Sequence, residues 1–257
     1  MDARSTSRAL WPILALLLAG CAGLFGPPPE PLPPEGQRLL GILDRRWQQF
    51  DDLRTLAQIT IRRDTQVRRL FGVLLLKAPD SLRFEALSPW GQPVLLLAST
   101  QESFTLYEVG DNRAVIGPAS ARTIERWIGI PLEPGELVGV LSGHLLPMPD
   151  PRRARLLPAD DRGPSIELAG SRGVQRIWLD TDTGIVRQVE WNGSGRALRV
   201  GYPDRGVVDP PSAVTLTALD RSLTVTIRYK NPQIGVGLTA DHFRLSLPNG
   251  AKIRHFR

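Results

Sequence analysis

The chain has 257 residues, 42% apolar and 23% charged, an ordinary globular balance with enough apolar side chains for one substantial core. Its net charge of +6 comes mostly from arginines scattered along the chain, which suits an anionic surface without specifying one. A single cysteine, Cys21, excludes an intrachain disulfide and a thiolate metal cluster.

The N-terminal stretch MDARSTSRALWPILALLLAGC places Arg4 and Arg8 before an apolar run over residues 9–18. That run is too short for a permanent membrane span and has signal-peptide proportions. Leu18-Ala19-Gly20-Cys21 resembles the bacterial lipobox. The resemblance implies a signal peptide over 1–20, cleavage before Cys21 and acylation of that cysteine. Each buried acyl methylene adds roughly 0.8 kcal/mol to such an anchor. Ala22 and Gly23 follow, and the lack of Asp after the cysteine resembles outer-membrane sorting. GPPPEPLPPEG, ending at Gly36, reads as a stiff spacer. Acylated Cys21 and spacer thus take residues 21–36, and a single folded domain takes 37–257.

Leu39, Leu40, Leu43, Trp47, Phe50 and Leu53 fall at helical spacing and predict an amphipathic helix from 35 to about 53. Strands follow: AQITIRR, with Ala57, Ile59 and Ile61 on one face; RRLFGVLLLKAPD, apolar on both faces and so expected to be covered on both; then SLRFEAL, VLLLAS, SFTLYEV and RAVIG. Between SLRFEAL and VLLLAS lies Ser88-Pro89-Trp90-Gly91-Gln92-Pro93, a turn with an indole at its tip. Ser120 can cap a helix bearing Ile124, Trp127 and Ile128, and Pro134 can open another bearing Leu137, Val138 and Leu141, with Gly129 and Gly143 as stops. Strands resume with ARLLPA, SIELAG, VQRIWLD, IVRQVEW, ALRVGYP, AVTLTAL and LTVTIRY.

This order of elements resembles the LolA/LolB lipoprotein-localisation family, and two segments carry the likeness. SLRFEALSPWGQPVLLLAS resembles the strand, NPLG-like turn and strand of LolB, with Trp90 where that family has Leu. ASARTIERWIGIPLEPGELVGVLSGHLLP resembles its helix, G-x-P-x-P stretch and second helix ending near a Gly-x-x-Pro, with Ile130-Pro131-Leu132 and Gly143 to Pro147 at the matching places. The C-terminal stretch NPQIGVGLTADHFRLSLPNGAKIRHF is longer than in a minimal LolB. The resemblance implies a mostly β (α+β) fold: a half-open antiparallel β-barrel of about eleven strands, with an N-terminal helix and a short helical lid over an apolar cavity. It also implies that Pro89, Trp90 and Gly91 form a membrane-insertion loop.

Covalent chemistry finds no foothold. His144, His242 and His255 form no metal-ligand spacing and pair with no nucleophile motif. The reading is therefore no enzyme, no cofactor, no metal and no nucleic-acid partner. Lipid binding needs only a dry concave surface. The cavity rests on the resemblance: its expected floor is Ile59, Ile61, Leu82, Phe84, Val94, Leu96, Phe104, Leu106, Val225 and Ile227, and its lid is Ile124, Trp127, Ile128, Leu137 and Leu141, each of which taken singly reads first as plain core. The expected protein is a monomer, lipid-anchored in the outer membrane through Cys21, with its body facing the periplasm. It would take lipoprotein or lipid cargo from a periplasmic LolA-like carrier. The alternative is an envelope lipoprotein of the same fold with a structural or assembly role.

Overall fold

The computed structural model describes residues 32–149, 151–193, 195–203 and 209–256; the expected signal peptide, Cys21 and most of the spacer lie outside them. Helix α1, Pro34–Gln49, starts inside the expected spacer, with proline at its first turn and Gly36 already buried. It ends sooner than its apolar spacing suggests. Phe50 is extended, and Leu53 belongs to strand β1, Asp52–Arg63. Phe50 and Asp51 separate the two elements, and a side chain at the i+3 position continues a helical stripe and a strand face equally well.

The first meander continues through β2 (Gln66–Lys77), β3 (Ser81–Leu87), β4 (Pro93–Ser99), β5 (Ser103–Glu108) and β6 (Arg113–Pro118). Helices α2 (Ala121–Ile128) and α3 (Pro134–Ser142) interrupt it. Ser120 Oγ accepts from the Thr123 N–H at 3.3 Å, and both helices stop at left-handed glycines, Gly129 and Gly143. The second meander is β7 (Arg153–Asp160), β8 (Gly163–Gly170), β9 (Gly173–Leu179), β10 (Val186–Gly193), β11 (Arg196–Gly201), β12 (Ala213–Ala218) and β13 (Leu223–Ile234). A single 3₁₀ turn, Ala240–Phe243, and β14, Lys252–His255, complete the described chain.

All fourteen strands of the described residues form one sheet, in the order β14-β6-β5-β4-β3-β2-β1-β13-β12-β11-β10-β9-β8-β7. The expected count of about eleven is too low. β14 is exposed throughout, so it shows no alternation; it adds to β6 in parallel, the one parallel pairing in the described sheet. β1 is the joint, pairing with β2 on one side and with β13 on the other. The helices bury the concave face. Leu39 and Leu43 of α1, Ile124 of α2 and Leu137 and Leu141 of α3 share one core with Leu82, Phe84, Val189, Val200, Val225 and Ile227.

The chain after β13 crosses to the outer face. Leu238 and Phe243 pack on Leu75 and Val73 of β2, so the doubly apolar stretch of that strand is covered on both faces there, as its sequence demands. Two groups hold this strap. Asp52, fully buried, accepts from the Val236 N–H at 2.8 Å through Oδ1 and from the Leu238 N–H at 2.7 Å through Oδ2. Arg83 on β3 donates to the His242 carbonyl at 2.9 Å. Beyond the strap, the Phe256 ring lies over Gly117 so closely that a Cβ there would meet it at 2.5 Å.

Asp52→Ala takes the acceptor from the buried Leu238 amide and the part-buried Val236 amide and should cost about 2 kcal/mol in urea unfolding, with faster hydrogen exchange at both. Asp52→Asn keeps one acceptor oxygen and should lose less; equal losses for the two variants would refute the clamp.

Candidate functional site

The β3–β4 turn is built to hold an indole clear of the protein. The Gly91 N–H donates to the Ser88 carbonyl at 2.9 Å, and the Ser88 N–H to the Gln92 carbonyl at 2.7 Å. Ser88 Oγ accepts from the Gln92 N–H at 3.1 Å. Pro89 takes the turn position that suits its fixed φ, and Gly91 has φ +79°, in the left-handed region. Trp90 between them is 88% exposed. Nothing lies within 4 Å of where a Gly91 Cβ would stand. Of the two ways an indole could use this turn, folding back as a plug or projecting, the chain adopts the second.

The pairing below the turn is irregular. Ala86 faces Leu95, but Leu87 faces Pro93, so Val94 is left without a partner on β3. Phe84 and Leu106 both stand opposite Leu97, and all three belong to the core. The concave face of β4 is therefore Leu95 and Leu97, and the expectation of Val94 and Leu96 as lining residues is wrong. Val94 is 45% exposed, and Leu96 shares its outer face. An unbroken run such as VLLLA carries no period to orient it, and the neighbouring strand sets which side is in.

Most of the other expected lining residues do meet. Leu82, Phe84, Phe104, Leu106, Ile124, Leu137, Leu141, Val225 and Ile227 are buried in one cluster, and Ile59, Ile61 and Ile128 pack partly buried against it. Trp127 does not join them. It is 39% exposed on the far side of α2, 6.4 Å from the Phe256 ring. In this arrangement the helices fill the concave face. Among the described residues, open clefts of about 310 Å3 beside Ser120 and Phe256 and about 590 Å3 between the strap and β3–β5 lie elsewhere. Among the described residues no His, Cys, Asp and Glu group is clustered to hold a metal ion.

The lid is pinned by polar bonds from the sheet. Tyr202 Oη donates to the Val140 carbonyl at 2.9 Å, and Tyr229 Oη to the Leu141 carbonyl at 2.6 Å, satisfying carbonyls at the C-terminus of α3. Arg196 Nε donates to the Pro131 carbonyl at 2.8 Å, and its Nη1 to Glu136 at 3.0 Å. Glu133 Oε2 accepts from the Ala121 N–H at 3.1 Å, tying the start of α3 to the start of α2. Sequence reasoning does not single out Tyr202 or Arg196, which announce themselves by no motif. Tyr229 is legible as an inward residue by its alternation with Val225 and Ile227, but its hydroxyl partner is not.

No protein-family model and no curated protein matches the chain. Solved structures do. An outer membrane lipoprotein-sorting protein domain from Vibrio parahaemolyticus superposes with TM-score 0.56 at 12% identity, covering 81% of this chain and 97% of its own. A LolA superfamily protein from Nitrosomonas europaea gives TM-score 0.56 at 13% identity, over 82% and 97%. A DUF1329 family protein from Desulfovibrio piger gives 0.57 at 13%, over 82% and 97%. The chain thus has the LolA-type fold, a large open antiparallel sheet with helices across its concave side.

Trp90→Ala should leave stability within about 0.5 kcal/mol, because the indole touches so little. Gly91→Ala, by contrast, should cost roughly 1 kcal/mol from left-handed strain despite the open space. Tyr202→Phe and Tyr229→Phe should each cost about 1 kcal/mol and speed amide exchange across α3; unchanged exchange would mean that apolar packing alone holds the lid.

Proposed function

We propose that the protein is an outer-membrane lipoprotein, anchored through acylated Cys21, that binds acyl chains of lipoprotein or lipid cargo and helps deliver them to the membrane. The observation that carries this reading is Trp90, an indole held 88% exposed at the tip of a turn shaped for projection, on a LolA-type fold. An indole is at home at a membrane–water boundary, with its ring in the apolar zone and its N–H toward the headgroups. Acyl chains would replace the lid side chains on the concave face, because the same apolar positions suit either occupant. Opening requires release of the Tyr202, Tyr229 and Arg196 bonds. No covalent chemistry is involved. Cargo would arrive from a periplasmic LolA-like carrier, and the body would work as a monomer on the periplasmic side.

The filled concave face favours a second reading, an envelope lipoprotein of this fold with a structural or assembly role and no transfer. Native mass spectrometry of the protein from its own membrane separates the two. Co-purifying lipid or acylated peptide supports transfer, and a consistently empty protein supports the structural role. Trp90→Glu should leave the melting temperature unchanged yet abolish cargo insertion into vesicles; full insertion by that variant would rule out the role given to Trp90.

A further inference from the structure

Four arginines share the end of the sheet that carries Trp90. Arg62 and Arg63 close β1, Arg68 and Arg69 lie at the start of β2, and Asp64 is the one acid in the turn between them. Every residue from 62 to 69 is exposed. Many arginines elsewhere are paired with an acid, as in Arg113–Glu108, Arg155–Glu167 and Arg199–Glu190. No ion pair joins any of these four to an acid among the described residues.

The register sets Arg62 and Arg69 among apolar neighbours on the outer face, while Arg63 and Arg68 fall on the face of Ile61. Val67, Arg69 and Phe71 alternate on the outer face of β2, and Arg62 stands opposite Val67. Val67 is 47% and Phe71 44% exposed. The β2–β3 ladder runs only as far as Gly72 and Ala86, so Phe71 sits level with Leu87, where the turn bearing Trp90 begins. Beyond that turn, Val94 accepts from the Val109 N–H at 3.1 Å, and both side chains are exposed. Along one projecting rim, apolar side chains therefore run from the arginine-bearing β1–β2 hairpin past the Trp90 turn to Val94 and Val109, where Asp111 and the Arg113–Glu108 pair stand.

We infer that this rim docks onto anionic phospholipid, with guanidinium groups on headgroup phosphates and Trp90 and Phe71 in the interfacial layer. The inference rests on the membrane role of Trp90 and adds the lipid class. An amphipathic rim with unpaired arginines matches a surface that is anionic outside and apolar beneath. Guanidinium binds phosphate in bidentate fashion and is weakly hydrated, so it tolerates that layer. An acidic protein would satisfy the arginines but would leave a tip that stands clear of the body without a partner surface.

The test uses the full chain reconstituted in phosphatidylcholine vesicles with or without phosphatidylglycerol. An environment-sensitive fluorophore is placed on Thr65→Cys or on Gln92→Cys, with the unsubstituted chain as labelling control, and spin-labelled lipids act as quencher. Expected is quenching at both positions that is stronger with phosphatidylglycerol and relieved by raising salt. Each arginine near an anionic surface strengthens docking about fivefold, so R62Q/R69Q should weaken it by roughly 25-fold at unchanged melting temperature. Quenching at 92 alone, indifferent to phosphatidylglycerol and to R62Q/R69Q, would overturn the inference and leave the Trp90 reading standing. No quenching at either position would overturn both and point to a soluble acidic partner.

Discussion

The structure depends on the ladder between β1 and β13. It joins a meander made early in the chain to one made late, pairing Ala57, Ile59 and Ile61 with Tyr229, Ile227 and Val225. Without it there would be two sheets, each with an extra raw edge and half a concave face. With it, the helices lie on one continuous apolar surface. The same ladder sets Tyr229 beneath α3 and brings Asp52 to the point where the chain leaves β13 for the outer face.

The protein treats its apolar surface in two opposite ways. Across the concave side it spends three helices and several buried hydrogen bonds to keep water out. At the β3–β4 tip it uses a proline, a left-handed glycine and a serine hydroxyl to keep one indole in water. Moving the roughly 200 Å2 of an indole out of water is worth on the order of 5 kcal/mol. Holding it exposed in a well-formed turn is thus a standing preference for some apolar phase outside the chain. The irregular pairing at Ala86 and Leu87 extends that preference, because it also turns Val94 outward.

Much of this was legible in the sequence, for identifiable reasons. Clean alternation placed Leu82, Phe84, Val225 and Ile227, and cap residues marked Ser120, Gly129 and Gly143. The turn declared itself through Pro89 and Gly91, but whether its indole folds back or projects did not. What failed did so where no local signal exists. VLLLAS has no period, so its orientation came from the neighbouring strand. Trp127 lies at helical spacing with Ile124 yet turns to Phe256, a partner more than a hundred residues away. β14 has no buried face to betray it, and the clamp at Asp52 joins two segments that only the completed sheet brings together.

The parallel addition of β14 to β6 has a consequence for how the chain is made. The N–H and C=O groups along the outer edge of β6, Arg113–Pro118, must wait for residues synthesised long afterwards, and so must the place over Gly117 that Phe256 fills. Throughout that interval the early meander has a flank able to recruit a strand from another molecule. A premature stop a few codons before Lys252 would therefore do more than trim a tail. It would make that temporary flank permanent, and the product would tend to assemble with copies of itself.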